Sequence, residues 1–139
     1  MDVDIEVSAL QRALEADERV SAAILFGSVA KGVARRASDL DVALVARSPQ
    51  DALVLDRDYL DLAARLSLAA QRDVHLTLLD GVEPVLGRQV FLHGHALFDR
   101  DARRTAGILE RILLEYFDGE YHRRMRRDAL RQRREARHG

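Results

Sequence analysis

The sequence contains no cysteine, no tryptophan and only two prolines in 139 residues. Without cysteine there is no disulfide framework, no thiol nucleophile and no Cys-ligated zinc or iron–sulfur centre. No apolar run approaches the roughly 18 residues of a membrane span. The first ten residues, MDVDIEVSAL, are acidic and lack the basic and then apolar stretch of a signal peptide. These absences lead us to expect a cytoplasmic protein with no membrane contact. What is present fits one globular domain: 47% hydrophobic and 32% charged residues, long enough to bury a core but too short for a large two-domain enzyme.

Lysine is also scarce, with Lys31 the only one, and arginine carries the positive charge. The net charge of −1 conceals an uneven distribution. Residues 122–139 hold eight arginines against Asp128 and Glu135, so the acidic excess lies in residues 1–121. We therefore divide the chain into a body, residues 1–121, and a basic tail, residues 122–139. Such a tail is a solvated end, or it docks on an acidic partner or on RNA. No aromatic residue follows Tyr121, so base stacking by the tail is not expected.

Along the chain, Ser8 and Gln11 form an S-x-x-Q capping box, which predicts a first helix from Ser8 to about Asp17. Val20 to Phe26 is a short apolar run ending at Gly27, a buried strand entering a turn. Gly27 to Ala34 reads as that turn plus a short helix. Asp39 to Val45 alternates and reads as a strand. Ser48-Pro49 with Asp51 starts a helix that buries Leu55, Tyr59, Leu62, Leu66 and Ala69. Arg72 to Leu79 is the third strand. Pro84 to His93 is a helix closed by Gly94, and Ala96 to Phe98 a brief edge strand. A long helix from about Asp101 turns Leu109, Ile112, Leu113 and Tyr116 inward and breaks at Asp118-Gly119. The expected fold is α/β (α+β): a small mixed β-sheet flanked by helices, mostly on one side.

The segment that carries chemistry is Gly27 to Asp41, GSVAKGVARRASDLD. Asp39 and Asp41 stand at i and i+2 of a strand, so both carboxylates point to one face. Leu40, Val42 and Leu44 take the other face. Two carboxylates held together repel, and each raises the other's pKa unless a cation intervenes. Hard divalent ions with oxygen ligands, above all Mg²⁺, remove that conflict. Gly27 allows a phosphate close to the backbone, and the amides that open the next helix point at it. The Ser28 hydroxyl can donate one more bond. Lys31, Arg35 and Arg36 are either phosphate or partner contacts or a solvated loop. Phosphate cradle and metal carboxylates on consecutive elements describe a nucleoside-triphosphate site. Asp73, opening the third strand, is the candidate third acid for two-metal chemistry, provided that strand neighbours the Asp39–Val45 strand. His75 shares the face of Asp73 and reads as a histidine at the rim of the core, with the orienting of a carboxylate or nucleophile as its other role.

The run GSVAKGVARRASDLDVAL resembles the signature of the DNA polymerase β-type nucleotidyltransferase superfamily, a Gly-Ser followed by ten residues and Asp-x-Asp. The short chain, the spacing to Asp73 and the ending HGHALFDRD…ILLEYFDGEY resemble the minimal nucleotidyltransferases, over roughly residues 8–118. That resemblance implies the nucleotidyltransferase fold, with Asp39, Asp41 and Asp73 as metal-binding catalytic acids and Gly27 and Ser28 at the nucleotide. It implies Mg²⁺, two ions in one site, and ATP as substrate. Minimal nucleotidyltransferases are commonly the antitoxins of HEPN-type ribonuclease toxins. The implied activity is transfer of AMP to a toxin hydroxyl, a tyrosine by expectation, within a hetero-oligomer. Two rival readings remain: neutralisation by occlusion alone, and nucleotidyl transfer to a small molecule such as an aminoglycoside. The family pattern does not account for the Arg-rich end beyond Tyr121. No direct nucleic-acid binding is expected except through that tail.

Overall fold

Seven residues from Val20 to Phe26 form β1, and every one except Phe26 is buried. Their near-continuous apolar character reflects a strand covered on both faces. The computed structural model describes residues 3–27 and 39–138. Within them the order is α1 (Val3–Glu15), β1, β2 (Leu40–Ala46), α2 (Pro49–Arg57), α3 (Tyr59–Ala70), β3 (Val74–Leu78), a 3₁₀ turn (Leu79–Gly81), α4 (Pro84–His93), β4 (His95–Asp99) and α5 (Ala102–His138). The strands form one mixed sheet in the order β3-β2-β1-β4. β1 runs antiparallel to β2 and β4, and β2 runs parallel to β3. The parallel pair is joined by a crossover through α2 and α3, as parallel neighbours require.

Helices cover both faces of the sheet, not mostly one as the sequence suggested. Leu10 and Leu14 of α1, Leu55 of α2, and Leu62, Leu66 and Ala70 of α3 pack with Leu40, Val42 and Leu44 of β2. Val90 of α4 and Ile108 and Ile112 of α5 pack with Ala22, Ile24, Ala43 and Val45 on the opposite face. β2 is apolar at successive positions, which is the signature of burial on both sides.

Several boundaries differ from expectation. α1 starts at Val3, five residues before the capping box. Glu6, Leu10 and Leu14 share its buried face, and Glu6 forms a buried ion pair with Arg72 at 2.6 Å, which extends the packed helix N-terminally. The helix expected after Ser48 is two helices. Asp58 (φ −90°, ψ 10°) separates them, and Arg19 bonds its carboxylate at 2.8 Å. Ser48 caps α2 as expected, accepting from the Asp51 amide at 3.1 Å. In α3 it is Ala70, not Ala69, that enters the core. α5 does not break at Asp118-Gly119. It continues from the body through the basic segment to His138. A glycine inside a helix costs only about 1 kcal/mol, and the Arg111–Glu115 and Arg123–Glu120 pairs stand on either side of this stretch. The Gly27–Ala34 turn and helix lie, apart from Gly27, outside the described residues.

α5 is fastened to the body near its start. Arg104 bonds the Ala46 carbonyl at 2.5 Å and the Asp80 carboxylate at 2.6 Å. Asp80 accepts in turn from the Ala46 amide at 2.9 Å. Arg111 reaches the Leu79 carbonyl at 3.0 Å. Removing the guanidinium leaves a largely buried carboxylate without its cation. Arg104→Ala is therefore expected to destabilise the protein by about 2–3 kcal/mol, read as a drop in the denaturation midpoint with an unchanged m-value.

Candidate functional site

Three strand ends converge at one edge of the sheet. β1 ends at Phe26, β2 begins at Leu40 and β3 begins at Val74, with Phe26 opposite Asp41 and Asp41 opposite His75. The antiparallel pairing of β1 with β2 brings Gly27 to the same end as Asp39 and Asp41. The parallel crossover returns β3 with its start beside the start of β2.

Strand alternation aims these side chains. Leu40 and Val42 point into the core under α1–α3, so Asp41 takes the other face. That face carries Ala43 and Val45 under α4 and α5, and the acids lie beyond it at the strand's start. On β3, Val74 and Leu76 are buried and His75 is exposed. The Asp39 and Asp41 side chains are 39% and 30% exposed, open enough to meet a ligand. His75 stands between them: its Nε2 lies 3.2 Å from Asp39 Oδ2 and its Nδ1 3.9 Å from Asp41 Oδ1. Burial pushes the Asp41 carboxyl above the ordinary carboxylate range, His75 opposes that rise, and the charge of Asp39 adds to it.

Gly27 adopts φ +76°, a left-handed conformation that favours glycine. A Cβ added there would overlap the Asp41 carboxylate. The close approach made possible by this glycine is thus, first of all, that of the backbone to Asp41.

Asp73 lies one residue before β3 and is exposed. Its carbonyl accepts from the Leu40 amide at 2.8 Å, which ties the starts of β2 and β3 together. The neighbouring strands assumed for Asp73 are therefore present, but the β3 residue opposite Asp41 is His75. Among the described residues, no three His, Cys, Asp or Glu side chains form a ready metal-holding group. Ser28, Lys31, Arg35 and Arg36 lie outside the described residues. Sequence reasoning gave His75 to the rim of the core. The signal for its placement was register: parallel pairing of Leu40 with Val74 sets Asp41 beside His75.

The donor set of Asp39 and Asp41 suits a hard divalent cation, since two partly desolvated carboxylates side by side keep their charges best with a cation between them. With Gly27, at positive φ, directly against Asp41, they make a place where a charged, metal-bound group can sit at the edge of the sheet.

Comparisons with known proteins agree with this geometry. The family model described as polymerase beta, nucleotidyltransferase matches residues 8–103. A search of curated proteins gives no match. Among solved structures, a chain of a toxin–antitoxin with AMP-PNP superposes with a TM-score of 0.65 at 22% identity, covering 94% of this chain and 98% of that one. A chain of the tri-AMPylated Shewanella oneidensis HEPN toxin in complex with MNT antitoxin gives a TM-score of 0.61 at 20% identity, over 90% of this chain and 98% of that one. A chain of the toxin–antitoxin MntA-HepT gives 0.61 at 22% identity, over 90% and 93%. At such identities these likenesses speak for the fold. The family match spans both the Gly27 turn and the Asp39/Asp41 strand, the elements that build the site, and the chain belongs to the polymerase beta nucleotidyltransferase family.

Proposed function

We propose that this protein is an antitoxin that binds a HEPN-type toxin and transfers AMP from ATP to one of its hydroxyl groups, a tyrosine in the first instance. The observation that carries the reading is the Asp39–Asp41 pair beneath the Gly27 turn. The kind of partner and acceptor is suggested by the similar chains, which include a complex with AMP-PNP and one with a tri-AMPylated HEPN toxin.

In this reading Asp39 and Asp41 hold Mg²⁺, with Asp73 as a further acid at the same edge of the sheet. When bound, Mg²⁺ neutralises phosphate charge and withdraws electron density from the phosphorus under attack. Gly27 keeps the backbone close against Asp41. Ser28, Lys31 and Arg35 follow it in sequence and are assigned to the phosphates. The acceptor oxygen forms a bond to the α-phosphorus, the bond from that phosphorus to the bridging oxygen breaks, and pyrophosphate leaves. The hydroxyl proton passes to water. The protein contributes mainly alignment and charge neutralisation, as phosphoryl-group chemistry generally demands.

α5 supplies a surface for the partner. Leu114, Phe117, Tyr121 and Met125 are each more than half exposed and recur at intervals of three and four along it. They form one apolar stripe, and the arginines of the basic segment continue the same helix. That stripe also favours a second reading, in which the toxin is neutralised by occlusion. Cytoplasmic residence fits both readings, and no helix of the described residues is long and apolar enough to cross a membrane.

Intact-protein mass spectrometry separates the two. The protein is mixed with its toxin partner, ATP and Mg²⁺. Mass gains on the partner equal to one or more AMP groups are expected. A stable complex with no gain would replace transfer by occlusion.

A further inference from the structure

We propose that His75 is a ligand of the metal site, and that its nitrogen turns the site's preference from Mg²⁺ toward a first-row transition cation such as Mn²⁺. This rests on the reading of Asp39 and Asp41 as metal ligands and deepens it. β2 and β3 pair in parallel with Asp41 opposite His75, so the two side chains rise from the same face at the same level. The imidazole has both nitrogens turned to carboxylate oxygens, one from each acid, at 3.2 and 3.9 Å.

A structural role accounts poorly for this residue. Its side chain is 66% exposed, while Val74 and Leu76 on either side supply the core contacts of β3. Among the described residues, its ring faces the two acids. Asp73, the other candidate, begins one residue outside the strand. Among the described residues no three such side chains form a metal-holding group, so the proposal requires the exposed imidazole to turn toward an arriving ion.

The chemical consequence follows from the donor type. Carboxylate and phosphate oxygens suit Mg²⁺, whereas an imidazole nitrogen favours first-row transition ions. Mn²⁺ accepts oxygen and nitrogen donors together and can replace Mg²⁺ at phosphates. A site with two carboxylates and one imidazole should therefore discriminate against Mg²⁺ more than an all-carboxylate site does.

The test uses the full-length protein and the metals alone, with neither toxin nor transfer required. Mn²⁺ and Mg²⁺ affinities are measured by calorimetry for the wild type and for His75→Ala, His75→Asp and Asp39→Asn/Asp41→Asn. Pulsed EPR of bound Mn²⁺ reads directly coordinated ¹⁴N, and circular dichroism confirms folding. We expect a nitrogen coupling in the wild type that disappears in His75→Ala, with Mn²⁺ affinity falling at least about tenfold. His75→Asp should narrow the Mn²⁺-over-Mg²⁺ preference. Unchanged Mn²⁺ affinity and no nitrogen coupling, with binding lost only in the double Asp variant, would overturn the role of His75 and leave the carboxylate site standing. Metal binding unaffected by every variant would overturn both.

Discussion

The Asp39→Ala/Asp41→Ala protein is expected to fold, to bind its toxin and to transfer no measurable AMP. Neither carboxylate belongs to either core cluster, so no packing is lost. The pair instead imposes a cost on the free protein: burial desolvates Asp41 and Asp39 adds like charge beside it, a cost that His75 offsets only in part. Relief of that repulsion makes a thermal midpoint no lower than wild type the expected result in metal-free buffer. Activity moves the other way. Charge stabilisation by a bound metal is worth several kcal/mol at the transition state, and each 1.36 kcal/mol is tenfold in rate. A fall of about 10³-fold or more is expected, below detection by partner mass. Transfer retained by a folded double variant would remove the assignment of Asp39 and Asp41. Toxin neutralisation retained without transfer would favour occlusion through the α5 surface.

The opposed effects on stability and rate show why this site was readable from sequence. A strand that spends alternate positions on paired acids gains nothing in packing from them. The Asp-x-Asp spacing beside a glycine-terminated strand therefore points to chemistry from the sequence alone. The strands themselves were legible for a related reason. VSAAILF and DLDVALV are too short and too apolar for surface helices, and β1 was placed at its observed limits while β2 was displaced by one residue. Pro84 and Gly94 bracketed α4 at its observed limits, because proline suits the first helical turn and a residue at position 94 must avoid Ile24 and the Val90 carbonyl.

What escaped the sequence depended on long-range partners. The two-sided covering of the sheet arises from α5 packing Ile108 and Ile112 across β1 and β2, which no local pattern reveals. The unbroken course of α5 through Gly119 is another case, since local propensity there is weak and i,i+3 and i,i+4 ion pairs run along the helix. His75 is the most consequential. Its meaning depends on the pairing of β3 with β2, and a shift of one residue would have turned it to the opposite face. Asp73 was chosen for its charge, whereas register put a histidine opposite Asp41.

Gly27→Ala tests whether the turn and the acid pair act as one unit. At φ +76° an alanine is strained by about 1–3 kcal/mol, and its methyl group would also overlap the Asp41 carboxylate. Asp41 Cγ and Cβ stand 3.1 and 3.2 Å from the same point, so rotating the carboxylate alone does not make room. The backbone must shift or Asp41 must leave its place beside His75. Either response moves a proposed metal ligand, and a displacement near 1 Å is enough for a loss of about 10²-fold in rate. The expected outcome is a protein destabilised by about 1–3 kcal/mol, with transfer reduced on the order of 10²-fold and metal affinity reduced with it. Gly81→Ala is the matched control, because nothing lies within 4 Å of a Cβ at that position. Its activity should equal that of the wild type. Chemical denaturation and transfer assays on the two variants check this directly. Full transfer by Gly27→Ala at wild-type stability would mean that the turn adjusts without disturbing Asp41. Parallel losses in stability, metal affinity and rate would mean that this glycine holds the acid pair in its working position.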